Sequence, residues 1–261
     1  MPSASDLDDL ARRRIRRASI GALIAVGALI AIVMVAVALL DGDGRPSSAP
    51  PPSSTSTPPH PPTSDSVPEV PGSSQAPRAS AQLPKPGDYL RGLYPVRFPH
   101  TAAGATAAAA AMYQYTWTVD PTHATRVVGV YVASEAQQSA RRTAVDSVRY
   151  FRKQMDLPAT GEVPAAATIA VRPIGVQWKI VDADNVYASV SMSIDMLPGT
   201  GEPSLTAPAA STVHMQWRAA VRGGDWVALR TPAQQMPSPH YAEPGTPQFT
   251  QQGWLAIRPG G

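Results

Sequence analysis

The chain has 261 residues, 22 Lys and Arg against 19 Asp and Glu for a net charge of +3, and no cysteine. The missing cysteine excludes disulfides, thiol chemistry and lipoprotein anchoring. The slight charge excess is far from the basic stripe of a nucleic-acid binder, so no direct nucleic-acid partner is expected.

The first seventeen residues carry Arg12, Arg13, Arg14, Arg16 and Arg17 against Asp6, Asp8 and Asp9. An uncharged apolar run from Ala18 to Leu40 follows. As a helix it would span about 35 Å, enough to cross a hydrocarbon core of about 30 Å. Arginines on its amino side keep that end in the cytoplasm and orient the rest outward. The expectation is a single-pass signal anchor (residues 18–40) in the cell membrane, with a cytoplasmic tail (1–17) and an extracytoplasmic C-terminal domain. The bilayer is then its first partner. Cleavage after Ala36-Val37-Ala38 is the open alternative. Gly21, Ala25, Ala28 and Ala31 give the helix a small-residue stripe through which two copies can approach, a route to a homo-oligomer. Residues 41–90 turn abruptly to Pro, Ser and Thr, with Pro50-Pro51-Pro52, Pro58-Pro59 and Pro61-Pro62. Such a tract cannot bury a core and reads as a disordered linker with polyproline character.

Residues 91–261 suit one domain. Thr101 can cap a helix running through the alanines from Ala102 to Trp117, with Ala108, Met112 and Tyr115 on one face. Asp120-Pro121 breaks it. Val127 to Val132 reads as a strand by its β-branching or as a buried helical turn, and its periodicity leaves both open. Ser134-Glu135-Ala136-Gln137 has the capping-box form, ahead of an amphipathic helix with Ala144, Val148, Phe151 and Met155 on its apolar face. The opposite face carries Arg141, Arg142, Arg149, Arg152 and Lys153, with Asp146 placed to pair with Arg142.

From residue 164 the period changes to two. Val176, Trp178 and Ile180 alternate with polar neighbours up to the turn Asp182-Ala183-Asp184-Asn185. In the next strand Val186, Ala188, Val190, Met192 and Ile194 oppose Tyr187, Ser189, Ser191, Ser193 and Asp195. After a Pro/Gly-rich loop from Leu197 to Ala210, Val213, Met215, Trp217, Ala219 and Val221 oppose His214, Gln216, Arg218 and Arg222, and Gly223-Gly224-Asp225 turns the chain into Trp226 to Arg230. Helices first and antiparallel strands after make an α+β fold, the helices on one face of a curved sheet. The tail from Thr231 reads as irregular, with Tyr241, Phe249, Trp254, Leu255 and Ile257 to pack it back.

No His-Glu-x-x-His, Gly-x-Ser-x-Gly, Gly-x-x-x-x-Gly-Lys or Gly-x-Gly-x-x-Gly pattern occurs, and the histidines have no ligand spacing, so neither metal nor cofactor is expected. Tyr187, Asp195, His214 and Arg218 form the candidate pocket. If their strand faces point inward together, Asp195 and His214 make an acid/base pair and Arg218 an anion contact. The simpler reading makes both faces the solvent side of the sheet, hence no enzyme. Arg142, Arg149, Arg152, Lys153, Tyr241 and Trp254 are the candidate partner surface.

Three segments taken together, Phe98-Pro99-His100-Thr101-Ala102-Ala103-Gly104-Ala105, the middle strand pair, and Trp217 with Gly223-Gly224-Asp225-Trp226, resemble a family of actinobacterial single-pass membrane proteins of conjugative elements. That family is similar to the NTF2-like scaffold subunits of conjugation and type IV secretion machines. The likeness covers about 93–231, and Ala103 stands where the family usually has an acidic residue. It implies an NTF2-like cone of helices over a curved antiparallel sheet, and a non-enzymatic assembly subunit working by protein–protein contacts with other envelope proteins. The alternatives are an exported ligand- or cell-wall-binding module of the same fold and an isomerase- or cyclase-like enzyme.

Overall fold

Gly104 to Tyr113, ten consecutive residues in the helix α1 (Ala102–Thr116), are all buried. A helix apolar on every side must be covered on every side, and its alanines let the covering elements come close. A computed structural model describes residues 80–199, 204–232 and 235–258. Around α1 it places the hairpin β2 (Asp88–Leu90) and β3 (Tyr94–Val96), the helix α2 (Pro121–Tyr131), and the strands β4 (Thr168–Ile180), β5 (Asn185–Leu197), β6 (Leu205–Arg218) and β7 (Asp225–Leu229). Thr101 caps α1 as expected, its hydroxyl accepting from the Gly104 amide at 3.0 Å.

The predicted cytoplasmic tail, membrane span and most of the linker, with Arg12, Arg13, Arg14, Arg16 and Arg17, lie outside the described residues. Among the described residues no helix is long and apolar enough to cross a membrane.

The domain is α+β, with a six-stranded sheet in which β1 (Ser80–Ala81) and β8 (Leu255–Ile257) lie beside the longer strands in the order β1-β8-β4-β5-β6-β7. β4 to β7 form an antiparallel meander. β8 returns antiparallel beside β4, and β1 runs parallel to β8. The sheet is therefore mixed and not purely antiparallel. Residues 80–90, assigned by composition to the linker, contribute β1 and β2 to the fold, and the tail contributes β8 and the short helix α4 (Pro247–Gln251).

The alternation read in the sequence sets the sheet faces. Val186, Ala188, Val190, Met192 and Ile194 of β5 are fully buried under the helices. Ala207, Ala209, Ser211, Val213 and Met215 stand opposite them on β6. The other face is not the solvent side. Phe249 and Trp254 of the tail form a second cluster with Ala242, Ala210 and Ala256. The Phe249 ring lies directly on Gly175, where a Cβ would come within 2.6 Å of it.

Val127 to Val132 belongs mainly to α2, a helix and not a strand. Asp120 caps it through the Thr122 amide and Pro121 occupies its first turn, so the pair that stops α1 also starts α2. The expected capping box does not form. Ser134–Ala136 make a 3₁₀ turn, Ser134 bonds Glu135, and helix α3 (Gln137–Gln154) begins without a side-chain cap. The Gln137 amide instead donates to the Val132 carbonyl.

One knot joins the N-terminal hairpin, the helices and the last hairpin. Asp225, 1% exposed, accepts from the Arg97 amide, the Trp226 amide and Arg222 Nε, each at 2.8 Å. Arg222 also donates to the Val130 carbonyl at the end of α2. The Trp226 indole donates to Pro99 O at 2.9 Å, and His100 stacks on Trp217 with centroids 4.3 Å apart. Gly104 permits the first turn of α1 to sit on Pro99, since a Cβ there would be 1.9 Å from the Pro99 oxygen.

Gly104→Ala is accordingly expected to destabilise the domain by about 1–3 kcal/mol in denaturant melts, although alanine favours a helix interior over glycine by about 1 kcal/mol. Asp225→Ala, which strands a half-buried guanidinium and two amides, is expected to cost about 3–5 kcal/mol in the same measurement.

Candidate ligand cavity

A cavity of about 210 Å³ opens between the helices and the β6/β7 end of the sheet. It exists because α3 packs chiefly on α2 and not on the strands, while β7 ends at Leu229, opposite His214. Beyond that point β6 has no strand beside it on this edge, and helical side chains face it across the gap. Met112, Tyr113 and Trp117 enter from α1 and its end, Val127 and Val128 from α2, and Ala140, Ala144 and Phe151 from α3. Ser211, Val213 and Leu229 line the sheet side. Ala140 and Ala144 keep it open, because longer side chains on that face of α3 would fill it.

Of its polar side chains, the hydroxyls of Thr116 and Thr143 donate to carbonyls of their own helices, Thr212 pairs with Ser189, and Ser147 is without a side-chain partner among the described residues. The Tyr113 hydroxyl donates to Ser211 Oγ at 2.9 Å, and burial pushes its phenol up to about 12. His214 lines the cavity where β6 leaves β7. Its Nδ1 lies 2.7 Å from the Thr231 hydroxyl and its Nε2 lies 3.1 Å from Asn185 Oδ1. The Asn185 amide nitrogen is held by both oxygens of Asp182, which turns Oδ1 towards the imidazole. That orientation makes Nε2 the donor, and the Thr231 hydroxyl can donate to Nδ1 of a neutral imidazole. Burial likewise pushes the His214 pKa below its ordinary 6.5, with the Asp182 charge opposing. Arg230, which is exposed and lines the cavity, marks its rim. It has no ion-pair or hydrogen-bond partner among the described residues.

The four residues predicted as a pocket do not converge. Asp195 faces Thr206 across the sheet, bonded to the Thr206 hydroxyl and Arg172. His214 faces Tyr187, with ring centroids 4.8 Å apart. Tyr187 and Asp195 are eight residues apart along β5, roughly 26 Å at about 3.3 Å per residue, so no Asp195–His214 acid/base pair forms. Arg218 is turned to Glu135 and Gln216. Only His214 reaches the cavity. Among the described residues no group of three metal-ligating side chains is found.

The predicted partner surface also divides. Arg142, Arg149 and Lys153 are exposed, and Asp146 pairs with Arg149 at 3.0 Å instead of with Arg142. Arg152 is 4% exposed, donating to the carbonyls of Val119, Pro158 and Gly161 at 2.8 to 3.2 Å. Trp254 is 1% exposed and bonded to the His240 carbonyl, while Tyr241 is half-buried. Arg152 and Trp254 therefore hold the domain together and are withdrawn from the surface.

Fold and cavity define an α+β domain with an apolar chamber between its helix layer and its sheet. No family model, curated protein or solved structure matches the chain.

Two measurements check this account. The unfolded chain takes up the His214 proton first, so the stability contributed by the neutral imidazole is complete above about pH 6.5 and declines as pH falls from there through the lower folded-state value. In urea melts between pH 8 and pH 5, His214→Gln is expected to show a shallower acid loss than the parent. Arg152→Ala should lose about 2–3 kcal/mol in the same melts, against less than about 0.5 kcal/mol for Arg149→Ala on the exposed face.

Proposed function

We propose that this protein is a non-enzymatic, membrane-anchored assembly subunit of a conjugation or secretion apparatus, whose exported domain is an NTF2-like cone acting through contacts with other envelope proteins. The observation that carries this reading is where the domain leaves large apolar side chains uncovered. Tyr89, Leu90 and Leu93 stand out on the β2–β3 hairpin, and Ile180 and Val181 on the β4–β5 turn, which also exposes Asp182 and Asp184. Large apolar side chains grouped on two protruding hairpins suit protein contacts better than they suit chemistry. The apolar run and proline-rich tract ahead of the domain would anchor it and hold it off the membrane. The resemblance in the α1 opening and the last hairpin names the kind of machine.

The cavity favours a second reading, an exported module of the same fold that holds a small apolar ligand.

The assembly reading is tested by purifying the tagged full-length protein from its own cells beside Leu93→Lys and Ile180→Lys variants. Co-purification of conjugation or secretion membrane subunits with the parent, reduced at least several-fold by either lysine, is the expected outcome. A parent that brings down no such subunit overturns it.

A further inference from the structure

From the cavity we infer a binding site for a short amphiphilic carboxylate, the acyl chain inserted between α1, α3 and β6 and the carboxylate at Arg230. This deepens the ligand-binding reading and does not depend on the assembly reading.

Three observations fix the class. First, the lining is apolar over nearly its whole extent, with Met112, Val128, Ala144, Phe151, Val213 and Leu229 around it. A void of about 210 Å³ exceeds the roughly 150 Å³ that holds benzene in an engineered apolar cavity. Close-packed interiors hold few voids larger than a water molecule, and the alanines of α3 preserve the space here. Second, most of the polar groups within reach are already matched, and the hydroxyls that remain, Ser147 among them, carry no charge. His214 is neutral and held on both nitrogens, so it adds no charge. Ser211 Oγ accepts the hydrogen bond from the Tyr113 hydroxyl and keeps its own hydroxyl hydrogen free to donate. Third, the cation at the rim is Arg230, without a carboxylate partner among the described residues. A guanidinium beside an apolar chamber is matched by an anion carried on an apolar body, and its planar fork suits a carboxylate.

Size and polarity narrow the class. A cavity of about 210 Å³ with an open mouth takes a short acyl chain, for which octanoate serves as the probe, whereas a sugar or peptide would leave its polar groups unpaired against the apolar walls.

The test uses 8-bromooctanoate, whose bromine quenches nearby indole fluorescence, with the purified full-length protein, and its methyl ester as the uncharged counterpart. Trp117 lies in the cavity wall, so saturable quenching is expected, reversed by octanoate. Ala144→Leu fills the chamber and should abolish it. Ala140→Leu serves the same purpose if the first variant does not fold, which circular dichroism and thermal melting reveal. Arg230→Gln, a surface change, should weaken the acid about fivefold and leave the ester unaffected, as expected for one exposed ion pair. Saturable quenching by the ester but not by the acid, or an Arg230→Gln variant that binds both as the parent does, overturns the carboxylate class and leaves the ligand-binding reading standing. Absence of saturable quenching by either probe, or quenching unaltered in a folded cavity-filling variant, overturns both.

Discussion

The buried carboxylate of Asp225 is the constraint on which the arrangement of layers depends. A fully buried acid at the start of a strand is expensive unless its lone pairs are met by donors that come from elsewhere in the chain. Here they come from Arg97, just past the N-terminal hairpin, from Arg222 in the turn itself and from the following amide. Because Arg222 reaches on to the end of α2, one side chain fixes the hairpin, the second helix and the sheet edge relative to one another. Arg222 adopts a positive φ of 51° to do so, and Gly223 and Gly224 beside it take the positive φ values that the turn requires. Gly224 also meets the Trp217 ring, which a Cβ would approach to 2.7 Å.

This knot explains why α1 can be almost pure alanine. With Trp226 bonded to Pro99 and His100 stacked on Trp217, the start of the helix is placed by its neighbours rather than by large side chains of its own. Short side chains then bring the helix axis close to the strands. The bulk is supplied from the sheet by Met192, Ile194, Met215 and the valines. Tyr113 is among the few large residues α1 sends towards the sheet, and it carries a hydroxyl that must be matched, hence Ser211 in an otherwise apolar row of β6.

The strands and the first helix were legible because their signals are local. Period-two alternation in β5 and β6 names both faces of the sheet, and Thr101 with the alanine run names α1. The second helix stays open in the sequence because valine's preference for strands competes with a start signal, Asp120-Pro121, that also reads as a stop. Arg152 was indistinguishable from Arg149 in sequence, since both belong to one cationic run. What separates them is the convergence of three carbonyls from distant loops, which only the fold creates. The pairing of β1 with β8 joins chain segments far apart with two or three residues each, too short for any periodicity to register. The cavity follows from a helix that leans on its neighbour and not on the sheet. Its trace in the sequence is a pair of alanines four residues apart on α3, which by themselves read as ordinary helix formers.

The two faces of the sheet consequently do different work. On one, the tail closes over β4 and β6, with Phe249 filling the space that Gly175 leaves and Trp254 bonded back to the tail's own backbone. Ser189 and Thr212 pair with each other beneath it at 2.7 Å, which satisfies the Ser189 hydroxyl, on the strand face that the alternation pattern assigns to solvent, together with that of Thr212. Ser189 and Ser191, in the middle of the β5 polar stripe, are thereby buried, and Asp195, at its far end, is tied to Arg172 and Thr206. On the other face the helices cover the strands fully only where α1 lies. Where α3 stands away, β6 passes beyond the end of β7 and the interior opens to Arg230. The chamber is therefore in part a consequence of strand length: β7 pairs with β6 only as far as His214, and the imidazole, Thr231 and Arg230 gather where the shorter strand ends.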